Sequence, residues 1–416
     1  MNAEVLTKPC VGTLILASLA ASLSTAAAAD FEGCIAGIRR SAAQAGVSRT
    51  TFDRVMAGVT TDPTVIEAMQ KQPEFTTPIW DYLAFLVDEQ RVAEGKQMMQ
   101  RHAAALASAE RRFGVDRYSI AAVWGVESDY GKIAGRYSLP QALATLACTA
   151  PRRASYFRGE LLATLEIVEK GDLSPDQLRG SWAGAVGQTQ FMPSTYLRLA
   201  VDGDGDGRRD LVSSTSDALH STANFLAKAG WATGERWGYE VELPAGYAGP
   251  SGRRKEPLSA WSTRRIRRID GAPLAGSGRA GLLLPAGVKG PAFLVFKNYD
   301  AVYSYNAADS YALAISLLSD RLRGMEGVRA AWPTDDRGLS RIERKEVQEH
   351  LLRHGYDIGD ADGAIGARTR KAISEYQAKI GMKPDGRPGG RVLDALRSDR
   401  SRRLEDHDDA DAEDPR

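Results

Sequence analysis

Glu127 ends the run Ala121-Ala-Val-Trp-Gly-Val-Glu-Ser-Asp-Tyr-Gly131, a carboxylate closing an apolar segment with helical spacing. At 3.6 residues per turn, Ile120, Val123, Trp124 and Glu127 share one face, so a titratable group falls on the side that packs or lines a cleft. Desolvation on such a face favours the protonated form. A proton held near neutral pH is what cleavage of a glycosidic bond needs, because the departing sugar oxygen leaves poorly until it is protonated. A buried glutamate satisfied by an arginine explains the helix equally well at this point. A hydrolase normally adds a second carboxylate, and the nearest, Asp129, points about 200° away if the helix continues.

Two further segments carry polar chemistry. Gly180, Gly184 and Gly187 would let a backbone approach a ligand while Ser181, Gln188 and Gln190 offer uncharged hydrogen-bond partners suited to a sugar, and a Gly-rich turn between helices with Phe191, Met192 and Pro193 packed inward fits as well. Asp202-Gly-Asp-Gly-Asp-Gly-Arg-Arg-Asp210 has the oxygen spacing of a calcium loop, with Asp202, Asp204 and Asp206 at alternate positions and Gly207 near the sharp turn. The candidate ligand set is Asp202, Asp204, Asp206, Arg208 and Asp210. Ser213 stands where a bidentate glutamate is usual, so affinity should be weaker unless a later acid such as Asp217 reaches the ion; a solvated Asp/Gly turn is the alternative. The few histidines show no zinc-binding pattern.

The elements that must position these groups are mainly helical. Amphipathic patterns run to Gly230, a Gly/Pro-rich section follows with strand-like runs at Gly281–Leu284 and Ala292–Phe296, and helix returns at Ser310–Arg323. Trp332-Pro-Thr-Asp-Asp-Arg-Gly338 reads as a linker, giving a first domain at 30–330, a linker at 331–338 and a small second domain at 339–398. Residues 399–416 form a charged tail expected to be disordered. Lys8, the apolar run Val11–Leu23 and Ala26–Ala29 read as a cleaved export signal, residues 1–29. That predicts a soluble periplasmic protein without a membrane anchor. Removing the signal leaves Cys34 and Cys148, an even pair in a compartment where disulfides persist, and they are expected to bond; two separate buried thiols are the alternative. The net charge of +1 gives no case for nucleic acid, and the local cluster Arg264, Arg265, Arg267 and Arg268 reads as one solvated face.

Residues 30 to about 330 resemble the B-type family of lytic murein transglycosylases. The resemblance rests on Trp124-Gly-Val-Glu-Ser-Asp-Tyr-Gly131, Leu143-Ala-Thr-Leu-Ala147, Arg152-Arg153 with Tyr156-Phe157, the run from Gly180 to Ser194, and Tyr305-Asn306 before Ser310-Tyr-Ala-Leu-Ala314. It implies an α+β, mainly α, lysozyme-like catalytic domain with a small β/loop insertion, and Glu127 as the single acid/base. It also implies that Ser181 and Gln190 contact the reacting sugar, that Tyr305 and Tyr311 line the groove, and that a structural Ca2+ is held near the Asp/Gly loop. Where the family often has a tyrosine after Asn224, this chain has Phe225, whose ring can still stack on a sugar. The implied reaction breaks the bond between N-acetylmuramic acid and N-acetylglucosamine without water, with no cofactor in the chemistry, and leaves a 1,6-anhydro sugar.

Residues 339 to about 396 resemble a peptidoglycan-binding module of the three-helix type, through Asp362-Gly-Ala-Ile-Gly366 before Thr369–Gln377 and Asp385-Gly-Arg-Pro-Gly389 before Val392–Leu396. Val347, Leu351, Ile373 and Tyr376 would form its core. It would tether the chain to an insoluble polymer. Peptidoglycan is therefore the expected partner, and cell-wall synthesis proteins are a further candidate class that no residue pattern marks. A hydrolytic muramidase and a non-catalytic wall-binding scaffold are the competing classes.

Overall fold

The computed structural model describes residues 15–69, 77–276 and 278–399, with backbone alone for 15–29. Residues 1–14 of the expected export signal and 400–416 of the expected tail lie outside the described residues. Among the described residues no helix is long and apolar enough to cross a membrane. The described chain divides into two compact units, one of residues 15–69, 134–200 and 205–213, the other of 77–133, 201–204 and 214–399.

In the first unit the helices Leu139–Thr149 and Ala154–Glu169 pack against each other and against Ile15–Gln44. Cys34 and Cys148 are bonded, as the cysteine count predicts, closing a separation of 114 residues. A covalent link across so long a loop stabilises by about 4 to 5 kcal/mol on the chain-entropy account. Glu160, although buried, is fully engaged: its carboxylate accepts from the backbone N–H of Ser194 at 2.9 Å and its hydroxyl at 2.7 Å. A short antiparallel pair, Tyr137–Ser138 with Arg179–Gly180, leads into the Gly-rich loop.

In the second unit the helix Arg117–Ser128 lies among Glu89–Arg101, Ala103–Phe113, Thr215–Lys228 and Asp309–Leu322. Asp116 caps its start, accepting from the N–H groups of Tyr118 and Ser119 at 3.0 Å. Ser119 to Gly125 are all buried, and the helix is partly open only at its two ends, at Arg117 and Tyr118 and at Val126 and Glu127. The Gly/Pro-rich section forms a five-stranded antiparallel sheet, with 252–257, 279–283, 292–295, 238–242 and 267–268 in spatial order. Its own core includes Trp261, Leu282, Leu294 and Phe296. The arginine cluster sits on and beside the edge strand Arg267–Arg268, with Arg264 paired to Glu256 at 2.8 Å, which suits an edge that must not recruit further strands.

The C-terminal segment has helices Arg341–Arg353, Ala367–Lys379 and 390–399 around Leu339, Val347, Leu351, Ile373, Tyr376 and Leu393. Its two Asp-Gly turns are built alike. Gln348 accepts from Gly363 N–H at 2.6 Å and donates to Asp362 at 3.1 Å; Gln377 accepts from Gly386 N–H and donates to Asp385, both at 2.8 Å. The stretch read as a linker is pinned rather than open. Gly338 bridges to Gly389, Asp336 accepts from Arg387 and from Arg391 N–H, and a Cβ on Gly338 would come within 2.8 Å of the Trp80 carbonyl oxygen.

Candidate active site

The helix carrying Glu127 stops one residue after it. Asp129, Tyr130 and Gly131 are all left-handed, with φ of 53°, 60° and 84°. The chain therefore leaves the helix at Ser128, and the expectation for Asp129 drawn from a continuing helix does not apply. Glycine explains how the turn fits. Tyr130 folds back so that a Cβ on Gly125 would lie 2.7 Å from its ring, and one on Gly95 would lie 2.1 Å from its hydroxyl. The Tyr130 ring also meets Trp124 edge-on at 5.5 Å, and its hydroxyl donates to the Arg91 carbonyl at 2.9 Å.

Glu127 is half-buried, and Tyr311 donates its phenol hydroxyl to Glu127 Oε1. Burial, reinforced by the Glu127 charge, holds that phenol well above the ordinary tyrosine range, so it remains a donor. The Tyr311 ring stacks on Tyr305 at 6.3 Å with planes 21° apart, and Phe225 meets Tyr305 at 4.5 Å. Phe225 and Tyr305 are partly exposed, so three aromatic rings lead from solvent to the carboxyl group. Such rings offer apolar faces for pyranose stacking. Sequence spacing brought none of the three to Glu127; the packing of helices Thr215–Lys228, Lys297–Asn306 and Asp309–Leu322 does.

Asp129 has entirely different company. Arg341 Nη1 lies 2.7 Å from its Oδ1, Arg91 Nη1 is 3.9 Å away and Lys132 Nζ is 3.8 Å from Oδ2. Arg91 also donates to the Gly125 carbonyl in the last turn of the helix, where the helix dipole favours a cation. These arginines escaped the sequence reading because Arg341 is more than two hundred residues from Asp129 and no local pattern links them.

Ser181, Gln188 and Gln190 belong to the first unit. Ser181 Oγ accepts from Ala185 N–H at 3.0 Å, buried Gln188 donates to the Val212 carbonyl at 3.2 Å, and Gln190 donates to the carbonyls of Ala134 and Gly187 at 3.0 and 2.9 Å. The glycines serve packing within the loop rather than ligand approach alone. A Cβ on Gly180 would lie 2.0 Å from the Ala185 carbonyl oxygen, one on Gly184 2.5 Å from Leu143, and one on Gly187 2.6 Å from the Leu211 carbonyl oxygen.

Of the calcium-loop candidates, Asp202, Asp204 and Asp217 converge, with one oxygen from each within 4.8 Å of the others. Asp217 is fully buried and accepts from Gly203 N–H at 2.8 Å, while Ser214 donates to Asp204 at 2.6 Å. Three hard oxygen donors, one of them buried, fit a calcium ion. Asp206 accepts from Arg208 N–H at 2.8 Å, and the Arg208 guanidinium donates to the Asp172 carbonyl at 3.1 Å. Asp210 accepts from the N–H groups of Val212 and Ser213 and from the Gln177 amide, which makes it a turn cap.

Residues 30–320 match the family described as "Transglycosylase SLT domain", and residues 340–396 match that described as "Putative peptidoglycan binding domain". Membrane-bound lytic murein transglycosylase B of Escherichia coli (strain K12) is 32% identical over 252 residues, covering 59% of this chain and 68% of that protein. Among solved structures, SltB3 from Pseudomonas aeruginosa in complex with NAG-anhNAM-pentapeptide is similar at 44% identity and a TM-score of 0.71, covering 88% of this chain and 99% of that one. The Escherichia coli lytic transglycosylase Slt35 in complex with calcium is similar at 28% identity and a TM-score of 0.62, covering 71% of this chain and 92% of that one.

Proposed function

The chain belongs to the transglycosylase SLT domain family, and from that premise we propose that it cleaves the β-1,4 bond between N-acetylmuramic acid and N-acetylglucosamine in peptidoglycan without water. The observation that carries the reading is the half-buried Glu127, held by the phenol of Tyr311 at the end of an aromatic line, while the neighbouring Asp129 is occupied by cations.

Glu127 in its acid form protonates the glycosidic oxygen as the bond from the muramyl C1 to that oxygen breaks. The acetamido group of the sugar stabilises the cation left at C1. The muramyl C6 hydroxyl oxygen then bonds to C1 and gives its proton to Glu127, which returns to the acid form. No water is consumed, and the product is a 1,6-anhydromuramoyl end. Tyr311 fixes the carboxyl rotamer, since a phenol can bond a carboxyl in either protonation state without imposing a full charge. Phe225 and Tyr305 stack on the sugar rings. Ser181, Gln188 and Gln190, by the family resemblance, are the proposed polar contacts to the substrate.

Asp202, Asp204 and Asp217 hold a structural calcium ion, with Asp206, Arg208 and Asp210 shaping the loop, and the ion takes no part in the chemistry. Residues 339–398 form a module that tethers residues 30–330 to the polymer. The disulfide and the proposed substrate support a periplasmic location.

Digestion of purified sacculi followed by mass analysis tests the reading. Wild type should release anhydromuropeptides and Glu127→Gln should not. Products one water heavier would make the protein a muramidase, and identical digests from both variants would leave only a scaffold.

A further inference from the structure

The left-handed turn after Glu127 is held from outside its own helix. Asp129 and Tyr130 are non-glycine residues in a conformation that costs on the order of 1 kcal/mol or more each, so surrounding contacts must maintain it. Tyr130 is held by Gly95, Gly125 and the Arg91 carbonyl. Asp129 is held chiefly by Arg341, the first residue of helix Arg341–Arg353, which lies within the stretch matched to the peptidoglycan binding domain. The same Arg341 is anchored on Asp88, which accepts from its backbone N–H at 3.0 Å and from Nε at 3.1 Å, and it reaches Glu94 at 3.5 Å. One guanidinium thus connects the wall-binding segment to the residue two places after Glu127.

We propose that Arg341 is a positioning residue for the catalytic acid: by holding Asp129 it fixes the left-handed turn and, with it, the last helical turn that presents Glu127. The C-terminal segment then has a task in the chemistry besides tethering. The inference rests on Glu127 being the acid.

Full-length Arg341→Met, Arg341→Lys, Arg344→Met and Glu127→Gln would be assayed on a soluble short muropeptide that gains nothing from tethering, and for cosedimentation with sacculi. Arg344 is the control for docking alone, since it donates to the Asp81 carbonyl at 2.9 Å and lies 4.5 Å over the Phe85 ring without touching the turn. Arg341→Met is expected to lower kcat about ten- to a hundredfold through misplacement of the acid, with KM and cosedimentation nearly unchanged. Arg341→Lys should recover part of that loss, and Arg344→Met should keep kcat. Equal losses of kcat in Arg341→Met and Arg344→Met would overturn the proposal, as would a loss confined to KM or cosedimentation. Should Arg341→Met fail to fold, the near-isosteric Asp129→Asn decides. A lowered kcat there that Arg341→Lys does not deepen in the double variant supports the coupling, and an unchanged kcat overturns it. Anhydro products from Glu127→Gln would overturn the acid assignment itself, whereas a normal kcat in Arg341→Met beside an inactive Glu127→Gln overturns only the positioning role.

Discussion

Glu127 and Asp129 stand two residues apart and live in opposite electrostatic settings. Glu127, in the last helical turn, receives a neutral phenol that stays protonated. Asp129, in the left-handed turn that follows, lies against two guanidinium groups and an ammonium. A carboxyl group beside a neutral donor stays available to a substrate, while one ringed by cations is tied into ion pairs and serves as a structural strut. The family reaction asks for one proton to be given and taken back, so the site needs one carboxyl of the first kind and a rigid mount for it.

Substitution should separate the two roles. Glu127→Gln is expected to lower kcat by roughly 10²- to 10⁴-fold with little change in unfolding temperature, and a matching loss of stability would blur the contrast. Asp129→Asn keeps the shape and tolerates the left-handed backbone, yet it removes one of the counter-charges of Arg341 and the carboxylate beside Arg91. Denaturant titration should show a loss of about 1.5 to 3 kcal/mol, as for a lost hydrogen bond between charged groups, and no loss would show that the strut is not needed.

The third carboxylate group, Asp202, Asp204 and Asp217, extends the comparison, because the calcium ion proposed for it would be an exchangeable counter-ion. Calcium at a hundred times its dissociation constant should stabilise the wild type by about 2.7 kcal/mol, seen as a rise in unfolding temperature that EGTA reverses and Asp217→Asn abolishes. The smallest effect is expected for Tyr311→Phe, about tenfold in kcat, the worth of a single hydrogen bond to a charged group. The phenol's pKa lies above its ordinary 10, so the activity profile below pH 10 has no limb from Tyr311. In stability the sign is set by the raised phenol: its contribution is present below pH 10 and lost as pH rises through the folded-state value, so Tyr311→Phe should flatten alkaline unfolding.

Local pattern carried much of this molecule. The apolar spacing before Glu127 marked its helix, two strand-like runs fell on strands 279–283 and 292–295, and the expected helix at Ser310–Arg323 is observed at Asp309–Leu322. The cysteine count gave the disulfide, and the Asp-Gly turns gave the C-terminal helices. What escaped depends on contacts between distant residues. The end of the Glu127 helix is set by Tyr130 filling space beside Gly95 and Gly125, which no propensity encodes. The ions around Asp129 come from residues 91, 132 and 341, and the polar run at 331–338 looked like a spacer although Asp336 and Gly338 are pinned to the segment after it. Loop glycines that looked suited to a ligand are required first by Leu143, Ala185 and Leu211.

The account stands most directly on whether solvent enters the product. Sacculi digested by the wild-type protein in heavy-oxygen water should yield muramyl ends closed as 1,6-anhydro rings and carrying no label. Labelled reducing ends from the same digest would contradict it.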